Sequence, residues 1–206
     1  MPTYLSPGIY TRETDFSFYV KQISTSSAAM VGVAEKGPTN KPVLVTSWEQ
    51  FINRFGSYIN ESYLAYAARA FFDNGGSVLY VTRIAHLTDS TDRDTLTALK
   101  SSIVLQNREA TPADALRIEA VNEGVWGDRL SISIEDGSLD PANHFNLVVR
   151  HKGDVVEVFK DLSMDETLPN HVELAINDRS DFILVQDLAA AMGTPGDRPA
   201  LGVFTL

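Results

Sequence analysis

The 206-residue chain has no cysteine. Disulfides, thiolate metal sites and cysteine nucleophiles are therefore excluded. No apolar run approaches the roughly 18 residues that a membrane-spanning helix needs. The start, Met1-Pro2-Thr3-Tyr4-Leu5-Ser6-Pro7, lacks the basic and apolar regions of a signal peptide, so the expected home is the cytoplasm. Positive charge is scarce: 17 Lys and Arg stand against 27 Asp and Glu, a net charge of −10. A nucleic-acid coat or an anionic-membrane binder would need the opposite balance. With 44% hydrophobic and 21% charged residues, the chain is rich enough in apolar side chains to bury a core, which excludes wholesale disorder.

The charge is unevenly placed. Residues 23–87 carry four acidic and five basic side chains, whereas residues 88–187 carry twenty acidic and nine basic ones. Such asymmetry predicts two units with different surroundings, an acidic one facing water and a balanced one able to pack against copies of itself.

Residues 1–22 read as an extended N-terminal arm. Pro2, Pro7 and Gly8 punctuate it, and Ile9, Tyr10, Phe16, Phe18 and Tyr19 supply strand-forming, apolar anchors that are expected to lie on the chain's own domain or add to a neighbour's sheet. Residues 23–87 read as an α/β segment. Ala28 to Ala34 is a continuous apolar run, predicted to be a strand buried on both faces. Val43-Leu44-Val45 is a short strand, and Ser47 with Gln50 forms a capping box for a helix carrying Trp48, Phe51, Ile52 and Phe55 and stopped by Gly56. A second helix starts near Ser62 and ends at Asn74-Gly75-Gly76, and Val78 to Val81 is another buried strand. Strands linked through helices favour an α/β sheet.

Leu87 to Asp94 is a polar linker, and residues 95–106 are expected to form a helix. From Ala115 onward, alternation predicts short strands around Leu116–Ala120 and Leu130–Ile134, and Asn146–Arg150 and Val155–Phe159 read as strands flanking Lys152-Gly153-Asp154, a hairpin turn. A helix near residues 170–177 precedes a last strand at Phe182–Val185. Residues 88–187 therefore read as an acidic α+β domain. Residues 188–206, rich in Pro and Gly, read as an irregular connection.

Little in the chain points to catalysis. Gly32-Val33-Ala34-Glu35-Lys36-Gly37-Pro38 has the glycine spacing of a phosphate loop, but its Lys precedes the second Gly and Pro38 removes a donor, so a turn is expected. His86, His144, His151 and His171 show no helical pairing that would hold a metal. Asp92-Arg93-Asp94 reads as solvated linker charge, and no Gly-x-Ser-x-Gly elbow occurs. No cofactor, metal site or catalytic group is expected. For a small-ligand α/β enzyme domain, the only convergent polar groups near strand ends are Glu35, Lys36 and Arg83.

Several phrases carry a resemblance. Tyr4-Leu5-Ser6-Pro7-Gly8-Ile9-Tyr10, Ser24 to Gly32, Glu35-Lys36-Gly37-Pro38, Pro42 to Trp48, Phe71 to Gly76, Asn122-Glu123-Gly124-Val125-Trp126-Gly127-Asp128-Arg129-Leu130 and Asp161 to Asp165 together resemble contractile tail sheath proteins of bacteriophages, R-type bacteriocins and phage-tail-like injection systems. The resemblance implies a structural, non-enzymatic subunit that polymerises with copies of itself as stacked hexameric rings around an inner tube protein, joins baseplate proteins, and contracts to drive the tube through an envelope. It implies assembly in the bacterial host cytoplasm and residence in the virion tail or tail-like particle. Residues 88–187 would be the outward protrusion, and Ile9, Tyr10, Phe16, Phe18 and Tyr19 the inter-subunit arm. Family members continue into a C-terminal, tube-binding domain that is not expected within these residues. A non-polymerising baseplate or adaptor subunit with a sheath-like fold is the alternative reading.

Overall fold

The computed structural model describes residues 26–86, 98–188 and 197–206. The arm residues Ile9, Tyr10, Phe16, Phe18 and Tyr19 and the polar linker lie outside them.

The first part contains β1 (Ser27–Gly32), β2 (Pro42–Val45), α1 (Trp48–Phe55), α2 (Leu64–Asp73) and β3 (Val78–Arg83). The strands form a sheet in the order β1-β3-β2, with β1 parallel and β2 antiparallel to β3. The α1 cap forms as the sequence predicts: the Gln50 amide donates to Ser47 Oγ at 3.2 Å. The reciprocal bond shifts by one residue, because Gln50 Oε1 accepts from the amide and hydroxyl of Thr46. Either way, amides at the helix start are satisfied. Phe51 and Phe55 of α1, Leu64, Ala65 and Ala68 of α2, and Leu79 and Val81 of β3 make one buried cluster.

Both helices supply side chains to one side of this sheet, and that corrects the expectation for Ala28–Ala34. Burial in β1 alternates rather than running continuously. Met30 packs on the cluster, while Val31 points away and is 69% exposed. An apolar run is compatible with burial on both faces, but only if both faces are covered.

The second part contains β4 (Ser102–Gln106), β5 (Asp114–Ala120), β6 (Leu130–Asp136), β7 (Phe145–His151), β8 (Asp154–Leu162), α3 (Val172–Ile176), β9 (Ile183–Asp187) and β10 (Gly202–Thr205). They form two antiparallel sheets, β10-β6-β7-β8 and β4-β5-β9. Their apolar residues share a single core with α3 and Trp126. Alternation fixes which face is buried: Leu130, Ile132 and Ile134 of β6 and Leu116 and Ile118 of β5 all face that core. The β7–β8 hairpin closes through two residues, Lys152 and Gly153, both at positive φ (56° and 96°). That is the backbone of a type I′ turn, whose twist matches the strands it joins. The whole is an α+β fold.

Two expectations are corrected here. Residues 102–106 form strand β4, not part of a helix: Leu105 is buried and Val104 exposed, the period-two pattern that pairing with β5 imposes. Residues 202–205 form β10 rather than irregular chain. Val203-Phe204-Thr205 are strand formers despite the flanking Pro199 and Gly202, and Phe204 and Leu206 pack on the second core.

Candidate assembly surface and the joint between the cores

Glu35, Lys36 and Arg83, the polar groups singled out for a ligand site, each make at least one contact from the first part to the second. Arg83, the last residue of β3, has a side chain only 4% exposed. Its Nε donates to Ala34 O at 3.1 Å, Nη1 to Gly37 O at 2.8 Å and Nη2 to Glu123 O at 2.9 Å. The Gly32–Pro38 loop thus turns carbonyls toward a cation, the reverse of a phosphate cradle, which presents amides. Glu123 is also reached by the Thr39 hydroxyl at 3.3 Å. Burial pulls the Arg83 guanidinium below its ordinary pKa, against the nearby Glu123 carboxylate.

Glu35 sits beside this loop. Its Oε2 accepts from the Ser57 amide at 3.0 Å, and its Oε1 accepts from Lys152 Nζ at 2.7 Å and lies 3.5 Å from Arg129 Nη1. Burial, the largest influence, pushes its carboxyl pKa up. The Lys152 and Ser57 hydrogen bonds, with the charges of Lys152 and His151, outweigh it and hold the carboxyl below the ordinary 4.5. Lys36 Nζ stands 4.6 Å from the centre of the Phe182 ring. Burial lowers its pKa against the pull of Glu35, Asp181 and Glu157.

His151 completes the cluster. Its ring lies 6.2 Å from Trp126 and 6.1 Å from Phe182, and its buried Nε2 has no hydrogen-bond partner among the described residues. Burial and then the Lys152 charge hold its pKa below 6.5. Sequence reasoning missed Arg129, His151, Lys152 and Glu123. The one local signal was Lys152 itself, a bulky residue at a turn position that favours Asn or Asp.

A cleft of about 510 Å³ opens beside the joint, lined by Val33, Ile59, Ile84, Leu99, Val125 and Trp126 among others. His171 does not join the cluster: its Nε2 pairs with Asp187 at 3.2 Å, tying the start of α3 to β9. Among the described residues, no group of three or more His, Asp or Glu is placed to hold a metal ion.

The outer face of the first part's sheet is an exposed apolar surface. Ala29, Tyr80 and Leu44 lie in register across all three strands, with Val31 beside Thr82 in the next row. Leu44 is 50% and Tyr80 46% exposed. A second apolar feature emerges between α1 and α2. Trp48 stacks on buried Phe51 (5.4 Å), and Tyr58 packs at a tilt on Trp48 (5.5 Å) and Tyr66 on Tyr58 (4.5 Å), so an aromatic ladder runs from the core to the surface.

Residues 25–84 match the family model described as "Tail sheath protein Gp18 domain III N-terminal region". A curated relative, the tail sheath protein of Vibrio phage KVP40, is 27% identical over 208 residues, covering 99% of this chain and 25% of the relative. The chain thus spans about a quarter of the length of that relative. Among solved structures, the sheath tail protein from Listeria innocua superposes with a TM-score of 0.53 at 12% identity, covering 87% of this chain and 32% of its own. The sheath tail protein from Desulfitobacterium hafniense gives 0.51 at 14% identity, covering 95% and 40%. At these identities the structures show the shared fold alone. The family model and the curated relative support the tail sheath family for this chain, and the solved structures share its fold.

Proposed function

We propose that the chain is part of a structural subunit that polymerises with copies of itself into stacked hexameric rings around an inner tube, and that contraction of this lattice drives the tube through a target envelope. The observation that carries the reading is the open apolar face of the β1-β3-β2 sheet. Contiguous exposed apolar surface in a charged, otherwise ordinary chain marks a place that another surface covers. The balanced charge of residues 23–87 supports close packing there, whereas the acidic residues 88–187 suit an outward protrusion kept soluble by repulsion.

In this reading the N-terminal arm, with Ile9, Tyr10, Phe16, Phe18 and Tyr19 as anchors, adds as a strand to a neighbouring subunit. Backbone hydrogen bonds then give a link that tolerates rotation, and alternate side chains set its register. Contraction needs no nucleotide: an extended lattice that is metastable releases energy as subunits drop into better-packed contacts. Assembly takes place in the host cytoplasm, and the product is a component of a virion tail or tail-like particle, in contact with inner tube and baseplate proteins.

The test is deletion of residues 1–20 from the protein expressed with its full reading frame. The expected outcome is a folded protein that no longer forms tubular polymers in negative-stain electron microscopy. Tubes that persist would remove the arm from the account.

A further inference from the structure

The two hydrophobic clusters share no residue. Among the described residues, the hydrogen bonds and ion pairs that cross between them are few. Arg83 and Thr39 bind Glu123, and Glu35 binds Lys152 and Arg129. Lys36 adds its cation over the Phe182 ring. Among the described residues, the hydrogen bonds and ion pairs between the two cores are thus made mainly by charged side chains.

These contacts differ in kind. Arg83 donates to three backbone carbonyls, and neither a guanidinium nor a carbonyl titrates between mild acid and neutrality. The Glu35 contact has a titratable carboxylate at its centre and a titratable imidazole, His151, beside it. Glu35 must be ionised to hold Lys152 and Arg129. Beside it, His151 lies among Lys36, Lys152 and Arg129, with its Nε2 buried and without a hydrogen-bond partner among the described residues. A proton there adds a fourth positive charge beside the Glu35 carboxylate, while the charges of Asp181 and Glu157 also act on Lys36. Lys152 and Arg129 are about half exposed, so salt also reaches the contact.

We propose that the joint is a pivot with a releasable latch: Arg83 anchors the β3 end to the Glu123 loop, and the Glu35–Lys152–Arg129 cluster locks the angle until Glu35 loses its charge or His151 gains one. Release frees the second core to swing while both cores stay folded. The latch would set whether the two parts of the subunit move as one body.

The absence of cysteine makes the test direct. Asn53 on α1 and Asp178 after α3 are both exposed, so Asn53→Cys and Asp178→Cys take spin labels, one on each core. The distance distribution is then read by double electron–electron resonance. The expected result is one narrow distance near about pH 8 that broadens near about pH 5, with unchanged circular dichroism. In Glu35→Gln it should be broad at both. In His151→Phe, which keeps an aromatic ring between Trp126 and Phe182, broadening should wait until Glu35 itself protonates. A narrow distance that survives both acid and Glu35→Gln overturns the proposal. So does broadening that appears only together with loss of circular dichroism, because the cores would then be unfolding rather than separating.

Discussion

Glu35 and Lys152 are 117 positions apart in sequence and 2.7 Å apart in the fold. The contact brings the loop after β1 against the tip of the β7–β8 hairpin, and it sets the direction of the acid response. Glu35 is held below 4.5 and His151 below 6.5 in the folded chain. In each case the unfolded chain binds the proton more readily, so the stabilisation is full above the ordinary pKa and is lost as pH falls through the depressed one. Melting temperature should therefore fall in two steps, first below 6.5 from His151 and then below 4.5 from Glu35. Thermal melts across this range should show the lower step missing in Glu35→Gln and the upper one missing in His151→Phe.

Arg83 should be the costliest single polar site. Arg83→Met leaves the carbonyls of Ala34, Gly37 and Glu123 without this donor and should cost about 3–5 kcal/mol. Arg83→Lys keeps the charge but cannot reach three acceptors with one ammonium, and should cost about 1–3 kcal/mol. Urea unfolding of the two variants checks the order. Equal, small losses would contradict the role given to the guanidinium fork.

Gly56 and Gly75 both have positive φ, at 81° and 87°, but a Cβ meets different surroundings at each. At Gly56 it would lie 2.6 Å from Glu35 Oε2, and at Gly75 it would meet nothing within 4 Å. Gly75→Ala should cost only the backbone penalty of about 1–2 kcal/mol. Gly56→Ala should cost more and should also displace the Glu35 carboxylate, reproducing the acid behaviour of Glu35→Gln. Denaturation of both variants at two pH values separates the effects.

The sequence and the fold agree best where a local rule decides the structure. Ser47 caps α1, Gly56 ends it, alternation places β5 and β6 with the right face inward, and the Lys152-Gly153 turn places the β7–β8 hairpin. Local rules failed at residues 102–106 and 202–205, where strand formation depends on a partner far away in sequence. They also could not say that Val31 would be exposed, because an apolar run carries no mark of which side is covered. The joint left almost no trace. Glu35, Lys36 and Arg83 were visible as polar groups near strand ends, but their partners Glu123, Arg129, His151 and Lys152 are chosen by tertiary packing alone.

The chain has two tryptophans, and each reports on one core: Trp48 packs against the first and Trp126 is buried in the second. Phe55 is fully buried in the first, and Phe55→Ala should cost about 3–5 kcal/mol. In single-tryptophan variants carrying Phe55→Ala, the Trp48 signal should unfold at lower denaturant than the Trp126 signal. Coincident transitions would show that the two cores unfold as one unit.

The central claim is that the open face of the β1-β3-β2 sheet is covered by assembly. The most direct test is negative-stain electron microscopy of the protein with its full reading frame, carrying Val31→Glu and Tyr80→Glu together. Both side chains point away from the core, so circular dichroism and the melting temperature should stay close to those of the parent. The account predicts striated tubes from the parent and dispersed particles from the variant. Tubes of normal appearance from the variant would contradict it.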